Sequence, residues 1–198
     1  MELSEAILRR RMVRAFHDRP VDPAVVDRLL EHALHAPSAG FSQGWAFLVL
    51  TEPVDRARFW DAVFPDRHDR PFAHPGLFAA GCLIVPLSHK QAYLNRYAEP
   101  DKGWEDGDEG RWPVPYWDLD TAMASMLILL TAVDEGLGAL YFGIFGQHVS
   151  AFRTAFGVPE AYTPIGAIAV GHRAPDVASS SLQRGRRGPE KVVHRGRW

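Results

Sequence analysis

The chain is 198 residues long, enough to bury a substantial core without disulfides or metals to staple it, so one domain over 1–198 is expected. Hydrophobic residues make up 46% and charged residues 23%, a balance that excludes a disordered or fibrous protein. With 22 Lys+Arg against 24 Asp+Glu, the net charge of -2 gives no overall field toward nucleic acid or an anionic membrane. The single cysteine, Cys82, excludes an intrachain disulfide and suits a cytoplasmic protein.

In chain order, Ser4 is expected to cap a short helix that ends in the basic run Arg9–Arg11, and Val13 to Phe16 reads as a brief extended segment. Asp22 and Pro23 form an N-cap and first-turn pair. Behind them Val26, Leu29, Leu30, Ala33 and Leu34 recur at helical spacing, predicting a helix that stops before Pro37. Ala46 to Leu50 is short, apolar and partly β-branched, as a buried strand is, and a helix around Asp55 to Phe64 follows. Cys82 to Leu87 predicts a second buried strand in which Pro86 costs a hydrogen-bonding neighbour on one side.

From Tyr93 to Trp117 aromatic, charged, Gly and Pro residues mix with no steady period, the mark of a functional insertion or a disordered one. Thr121 to Val133 is uncharged but too short to cross a bilayer. It predicts a central buried helix from about Asp118 to Glu135, capped by Gly136. Gly138 to Ile144 and Pro164 to Gly171 are further strand candidates, with a helix around Val149 to Phe156 between them. Beyond Pro175 the chain turns Ser, Arg and Gly rich, and such a tail needs a surface to lie on, a partner subunit being the expected one.

Two stretches carry chemistry. Arg9, Arg10, Arg11 and Arg14 fall within Arg9-Arg10-Arg11-Met12-Val13-Arg14-Ala15-Phe16, and guanidinium forks at that density suit phosphate oxygens as well as a solvated basic patch. Ala36-Pro37-Ser38-Ala39-Gly40-Phe41-Ser42-Gln43-Gly44-Trp45 closes a helix with small and polar residues and an aromatic. Other signals point away from function. Gly136-x-Gly138 follows a helix and lacks a third glycine, His32 and His35 have no ligand partners at metal spacing, and Cys82 sits in an apolar strand as an inert thiol.

Taken together, the two stretches resemble the opening of the nitroreductase family, Arg-Arg-Ser-x-Arg-x-Phe followed by Ala-Pro-Ser-x-x-Asn-x-Gln-Pro-Trp. The resemblance continues through Glu135-Gly136-Leu137-Gly138-Ala139, Gly171-His172-Arg173-Ala174-Pro175 and Arg186-Arg187. It implies an α+β fold with a mixed, mainly antiparallel sheet of four or five strands, and FMN held at a homodimer interface in which the central helix lies. It also implies ping-pong hydride transfer from NADH or NADPH to an electron-poor aromatic or related small molecule, with no side chain needed as acid or base and no metal.

Residue by residue, the resemblance puts Arg10 and Arg11 on the FMN phosphate and ribityl end, and Arg14 beside N1 and the C2 carbonyl of the ring, where its charge favours reduction. Ser38 and Gln43 match pocket residues, Tyr141, Phe142 and Gly143 match a strand end whose main chain runs along the flavin edge, and Arg186 or Arg187 completes the phosphate grip. Met12, Phe41 and Gly44 depart from the family's Ser or Thr, Asn and Pro, which leaves a deazaflavin coenzyme as an alternative to FMN. The 93–117 insertion corresponds to a substrate lid. There Tyr97, Trp104, Trp112, Tyr116 and Trp117 offer rings for stacking while Glu99, Lys102 and Arg111 offer charges, or else the rings pack the insertion onto the body. A flavin-dependent oxidase of heterocyclic or peptide-derived substrates and a non-catalytic flavin or deazaflavin carrier are the competing readings.

Overall fold

The computed structural model describes residues 1–69 and 72–198. Five strands form an antiparallel sheet: β1 (Trp45–Leu50), β2 (Cys82–Ser88), β3 (Gly138–Phe142), the two-residue β4 (Thr163–Pro164) and β5 (Ala167–Gly171). Their order is β1-β2-β5-β3, with β4 pairing the end of β2. Parallel pairing enters through an isolated bridge between Met12 and Ala139, so the segment after the N-terminal arginines lies along the outer edge of β3. The expected α+β class and strand count are observed. Pro86 behaves as predicted: β2 pairs with β1 from Leu83 to Ser88, whereas β5 covers it only from Cys82 to Ile84.

Strand alternation sends Leu83, Val85 and Leu87 to one face and Cys82 and Ile84 to the other, because successive side chains of a strand point to opposite sides. The first face packs on helices α3 (Pro53–Val63) and α6 (Gly146–Phe156) through Phe59, Trp60, Val63 and Phe152. The second is covered by α2 (Pro23–Leu34) and α5 (Tyr116–Asp134) through Leu29, Ala33, Ile128 and Ala132. Full burial of a residue such as Leu29 contributes roughly 1.5–3 kcal/mol. Asp22 caps α2 by accepting from the Ala24 N–H at 2.9 Å, as its position predicts.

Helix α5 ends in a Schellman turn. Gly136 has φ of +72°, and the N–H groups of Gly136 and Leu137 donate to the carbonyls of Val133 (3.0 Å) and Ala132 (2.8 Å). The helix spans 19 residues, longer than its uncharged stretch, and by length and composition alone it could cross a membrane. Half of it is buried inside the chain's own core. Its outer face carries Leu119, Met123 and Met126 at helical spacing, all exposed, and α1 (Leu3–Arg9), which packs on α5, carries exposed Leu3, Ile7 and Leu8.

Three local expectations are corrected. Ser4 lies inside α1 and caps nothing, because Glu2 takes the N-cap position and its carbonyl accepts from the Ala6 N–H at 3.1 Å. The segment from Tyr93 is not irregular throughout: α4 (Lys90–Tyr97) occupies its first part, and α5 begins at Tyr116 rather than Asp118. At eight residues α4 is too short to show a period and buries only Tyr93. The last strand divides at Gly166, where the Tyr141 ring leaves no room for a side chain.

Candidate functional site

β3 and β1 are opposite edges of the sheet, three inter-strand steps or about 14 Å apart. The antiparallel order brings the end of β3 and the start of β1 to the same end of the sheet. The residues singled out by the sequence fall into two groups, one at each edge.

At the β3 edge, the N-terminal arginine segment, the strand and the start of the C-terminal tail meet. The Val13 N–H donates to the Ala139 carbonyl at 3.0 Å, and the Tyr141 N–H donates to Met12 Sδ at 3.4 Å. Phe16 pairs with Arg173, the Ala174 N–H donates to the Ala15 carbonyl at 3.1 Å, and the Arg14 N–H donates to Asp176 Oδ2 at 2.6 Å. Both ends of the polypeptide are thereby zipped together over 14–17 and 172–176. Farther along, Arg186 and Arg187 are exposed, and Arg187 donates to the Lys191 carbonyl at 3.0 Å.

Arg10 is the informative member of this group. Its Nη1 is buried and has no hydrogen-bond partner within the chain. Leaving a charged donor in that state costs more than a neutral orphan does, about 1–3 kcal/mol or more, so the site calls for an acceptor. Arg11 is exposed, and Arg14 is half-buried with Nη1 donating to the Met12 carbonyl at 3.2 Å. Gly143, just past β3, is exposed with open space where a side chain would stand, so a planar group can lie against its main chain. Phe142 points the other way: its ring stacks on Trp60 at 5.7 Å and 18°, inside the aromatic cluster of the first face.

At the β1 edge stands the loop Ser38–Gly44. It is over-determined. Asp120 is buried, and its Oδ2 accepts from both the Ala39 N–H and the Tyr93 hydroxyl at 2.8 Å. Ser38 Oγ accepts from the Gln43 N–H at 3.0 Å, and Arg96 Nε donates to the Gly40 carbonyl at 2.9 Å. Tyr97 and Tyr93 press on Gly40 and Gly44 so closely that neither has room for a Cβ. Within this frame Phe41 and Gln43 both adopt positive φ, +55° and +49°, a conformation that costs a non-glycine residue about 1–2 kcal/mol. Phe41 is 73% exposed.

The aromatics of the insertion are packed on one another. Trp112 contacts Tyr93, Tyr97, Trp104, Tyr116 and Trp117 at centroid distances of 4.5 to 6.1 Å, and its Nε1 is buried without a partner. The charges are largely spent on holding it together. Arg96 grips Asp101 with two 2.7 Å bonds and Glu99 at 3.1 Å, Lys102 lies over the Tyr97 ring, and Arg111 lies over Trp104 and pairs with Asp106. Arg96 therefore joins the insertion to the Ser38–Gly44 loop.

The thiol of Cys82 is buried in β2, and burial pushes its pKa up to about 12, which leaves it inert as the sequence predicts. The structure also places residues that no motif flagged. A cavity of about 360 Å³ opens next to the end of β3, lined by Phe64, Arg67, Phe72, Phe145, Gln147 and His148. Three separate segments supply them, so only the folded chain reveals their proximity.

The model of the nitroreductase family matches residues 7–172. The chain belongs to the nitroreductase family and is a flavin-type oxidoreductase. A Methanothermobacter thermautotrophicus protein carrying the provisional name NADH dehydrogenase/NAD(P)H nitroreductase is 28% identical over 185 residues, covering 92% of this chain and 83% of its own. NfrA1 of B. megaterium superposes with a TM-score of 0.78 at 18% identity over 99% of this chain and 74% of its own. A nitroreductase family protein of Clostridium difficile 630 gives 0.74 at 20% identity over the full length of both. At those identities the two solved structures establish the fold alone.

Proposed function

We propose that the chain is an FMN-dependent NAD(P)H oxidoreductase that works as a homodimer in the cytoplasm, as one domain, and passes a hydride to an electron-poor aromatic or related small molecule by a ping-pong mechanism. The observation that carries this reading is the buried, unpartnered Arg10 Nη1 beside Arg11 and Arg14. A phosphate supplies the acceptor that this donor lacks, and a guanidinium fork matches its oxygens.

Arg10 and Arg11 would hold the phosphate and ribityl end, and Arg14, steadied by the Met12 carbonyl and by Asp176, would present positive charge at the pyrimidine side of the ring. The main chain of Tyr141 to Gly143 would run along the ring edge, consistent with Phe142 turning its side chain into the core. FMN itself supplies the two-electron chemistry. The chain's residues bind it, orient it and exclude water, and none is asked to carry a proton.

A second copy completes this site. Ser38 and Gln43 stand at the opposite sheet edge from Gly143 in one chain, but two-fold symmetry would bring the loop of one protomer to the strand end of the other. The exposed Leu119, Met123 and Met126 of α5, continued by Leu3 and Ile7 of α1, supply the apolar face for that contact. The tail beyond Pro175 would pack on the partner, and Arg186 or Arg187 would complete the phosphate grip begun by the N-terminal arginines of its own subunit.

Purification in the presence of FMN followed by anaerobic NADPH or NADH tests the reading. A yellow protein that bleaches stoichiometrically and recovers its colour on adding a nitroaromatic or quinone supports it. Yellow protein inert to both nicotinamides points to an oxidase or a carrier, and protein that takes up only a deazaflavin replaces the cofactor.

A further inference from the structure

Phe41 is out of place in the isolated chain by two measures. Its side chain is exposed and belongs to neither side of the core, so the ring gains nothing from burial. Its φ of +55° lies in the left-handed region, where a Cβ crowds the following carbonyl and where glycine or asparagine would sit with less strain. Among the described residues only Phe41 joins a large, exposed apolar side chain to a positive φ.

The loop around it enforces that conformation. The Ala39 N–H is held by the buried Asp120 carboxylate at 2.8 Å, the Gly40 carbonyl by Arg96 Nε at 2.9 Å, and the Phe41 N–H donates to the Ser38 carbonyl at 2.9 Å. Ser42 Oγ donates to the Ala39 carbonyl at 2.6 Å, and the Gln43 N–H donates to Ser38 Oγ at 3.0 Å, which closes the loop behind the ring. Backbone strain that the surroundings over-determine in this way accompanies functional sites, where it aims a side chain. Ser38 and Gln43 flank Phe41 on the same short loop, so wherever those two side chains work, the phenyl ring is presented with them.

We infer that Phe41 is a specificity-determining residue: its ring forms an apolar wall of the acceptor site on the partner's flavin and selects fused-ring aromatic acceptors over single-ring ones. A rigid, exposed phenyl group stacks over more area on a fused ring system than on one ring, and stacking adds to apolar burial. The inference rests on the proposed shared site, since only a second protomer brings this loop to a cofactor.

The test uses the oxidised, FMN-loaded protein and two inert ligands, 2-naphthol and phenol, with affinities read by calorimetry and by the shift each causes in the flavin absorption band. Phe41→Ala should weaken 2-naphthol about tenfold and phenol less than about twofold, and Phe41→Tyr, which keeps the ring, should keep the wild-type preference. In the ligand-free, FMN-loaded protein, Phe41→Asn should raise the melting temperature by about 2–4 °C, because asparagine tolerates the left-handed region and exposes no ring. A naphthol-to-phenol ratio unchanged in Phe41→Ala, in a variant that still dimerises and takes up FMN, overturns the inference alone. A lower melting temperature in Phe41→Asn shows the ring packed on protein in the resting state and overturns it too. A wild-type protein that sediments as a monomer or takes up no FMN overturns the shared-site reading first, and the role of Phe41 with it.

Discussion

Phe142 and Tyr93 show how a side chain's surroundings decide its role. Phe142 sits in a sequence stretch that resembles a cofactor edge, but its ring is held by Trp60, Phe59 and Phe64, whose positions along the chain give no hint of that contact. Phe142→Ala should therefore cost roughly 3–5 kcal/mol in a denaturant titration, with FMN affinity per folded molecule unchanged. Tyr93 is fully buried, and burial, reinforced by its bond to Asp120, pushes its hydroxyl pKa upward. A folded-state value above the ordinary 10.0 contributes stability that is complete below pH 10 and declines as pH rises beyond it. Tyr93→Phe should flatten that alkaline decline in a melting series and cost roughly 1–3 kcal/mol at neutral pH, because Asp120 loses a donor.

At the scale of elements, the insertion behaves as a fixed wall stapled by ion pairs. Arg96 and Arg111 hold the carboxyls of Asp101 and Asp106 below the usual 3.8, the hydrogen bond to each arginine being the main cause. Depressed values contribute stability above pH 3.8 that is lost as pH falls through the folded-state values. Tryptophan emission from the insertion should thus change on acidification below about pH 4, before global unfolding, and the change should shrink in Trp104→Phe. An early transition of the same size in that variant would place it elsewhere.

The long amphipathic or apolar elements, α2, α5, β1 and β2, were legible because each repeats its pattern over enough residues to fix a face. Helix α4 was not, since two turns with one buried residue carry no period. The arginine segment and the Ser38–Gly44 loop were legible as motifs, and the fold places each at a sheet edge. What ties that loop to the insertion, the Arg96 bridge and the Asp120 carboxylate, is long-range and left no mark in local pattern.

For the whole molecule, the proposal that two protomers share each site links assembly to cofactor binding. Met126→Glu puts a charge on the exposed apolar stripe of α5 without touching the core, so the monomer should remain folded by circular dichroism. Sedimentation should show the dimer replaced by monomer, and FMN affinity should fall at least about tenfold in parallel. A monomer that retained full affinity would show that one chain builds the pocket alone.

The central claim is that the unpartnered Arg10 donor exists to receive an anionic tail. Comparing FMN with riboflavin measures that directly, because the two differ only by the phosphate. Fluorescence titration should show FMN bound at least about a hundredfold more tightly by the wild type, with Arg10→Ala removing tenfold or more of the difference and leaving riboflavin binding unchanged. Equal affinities in the wild type, or an Arg10→Ala variant that weakens both ligands alike, would contradict it.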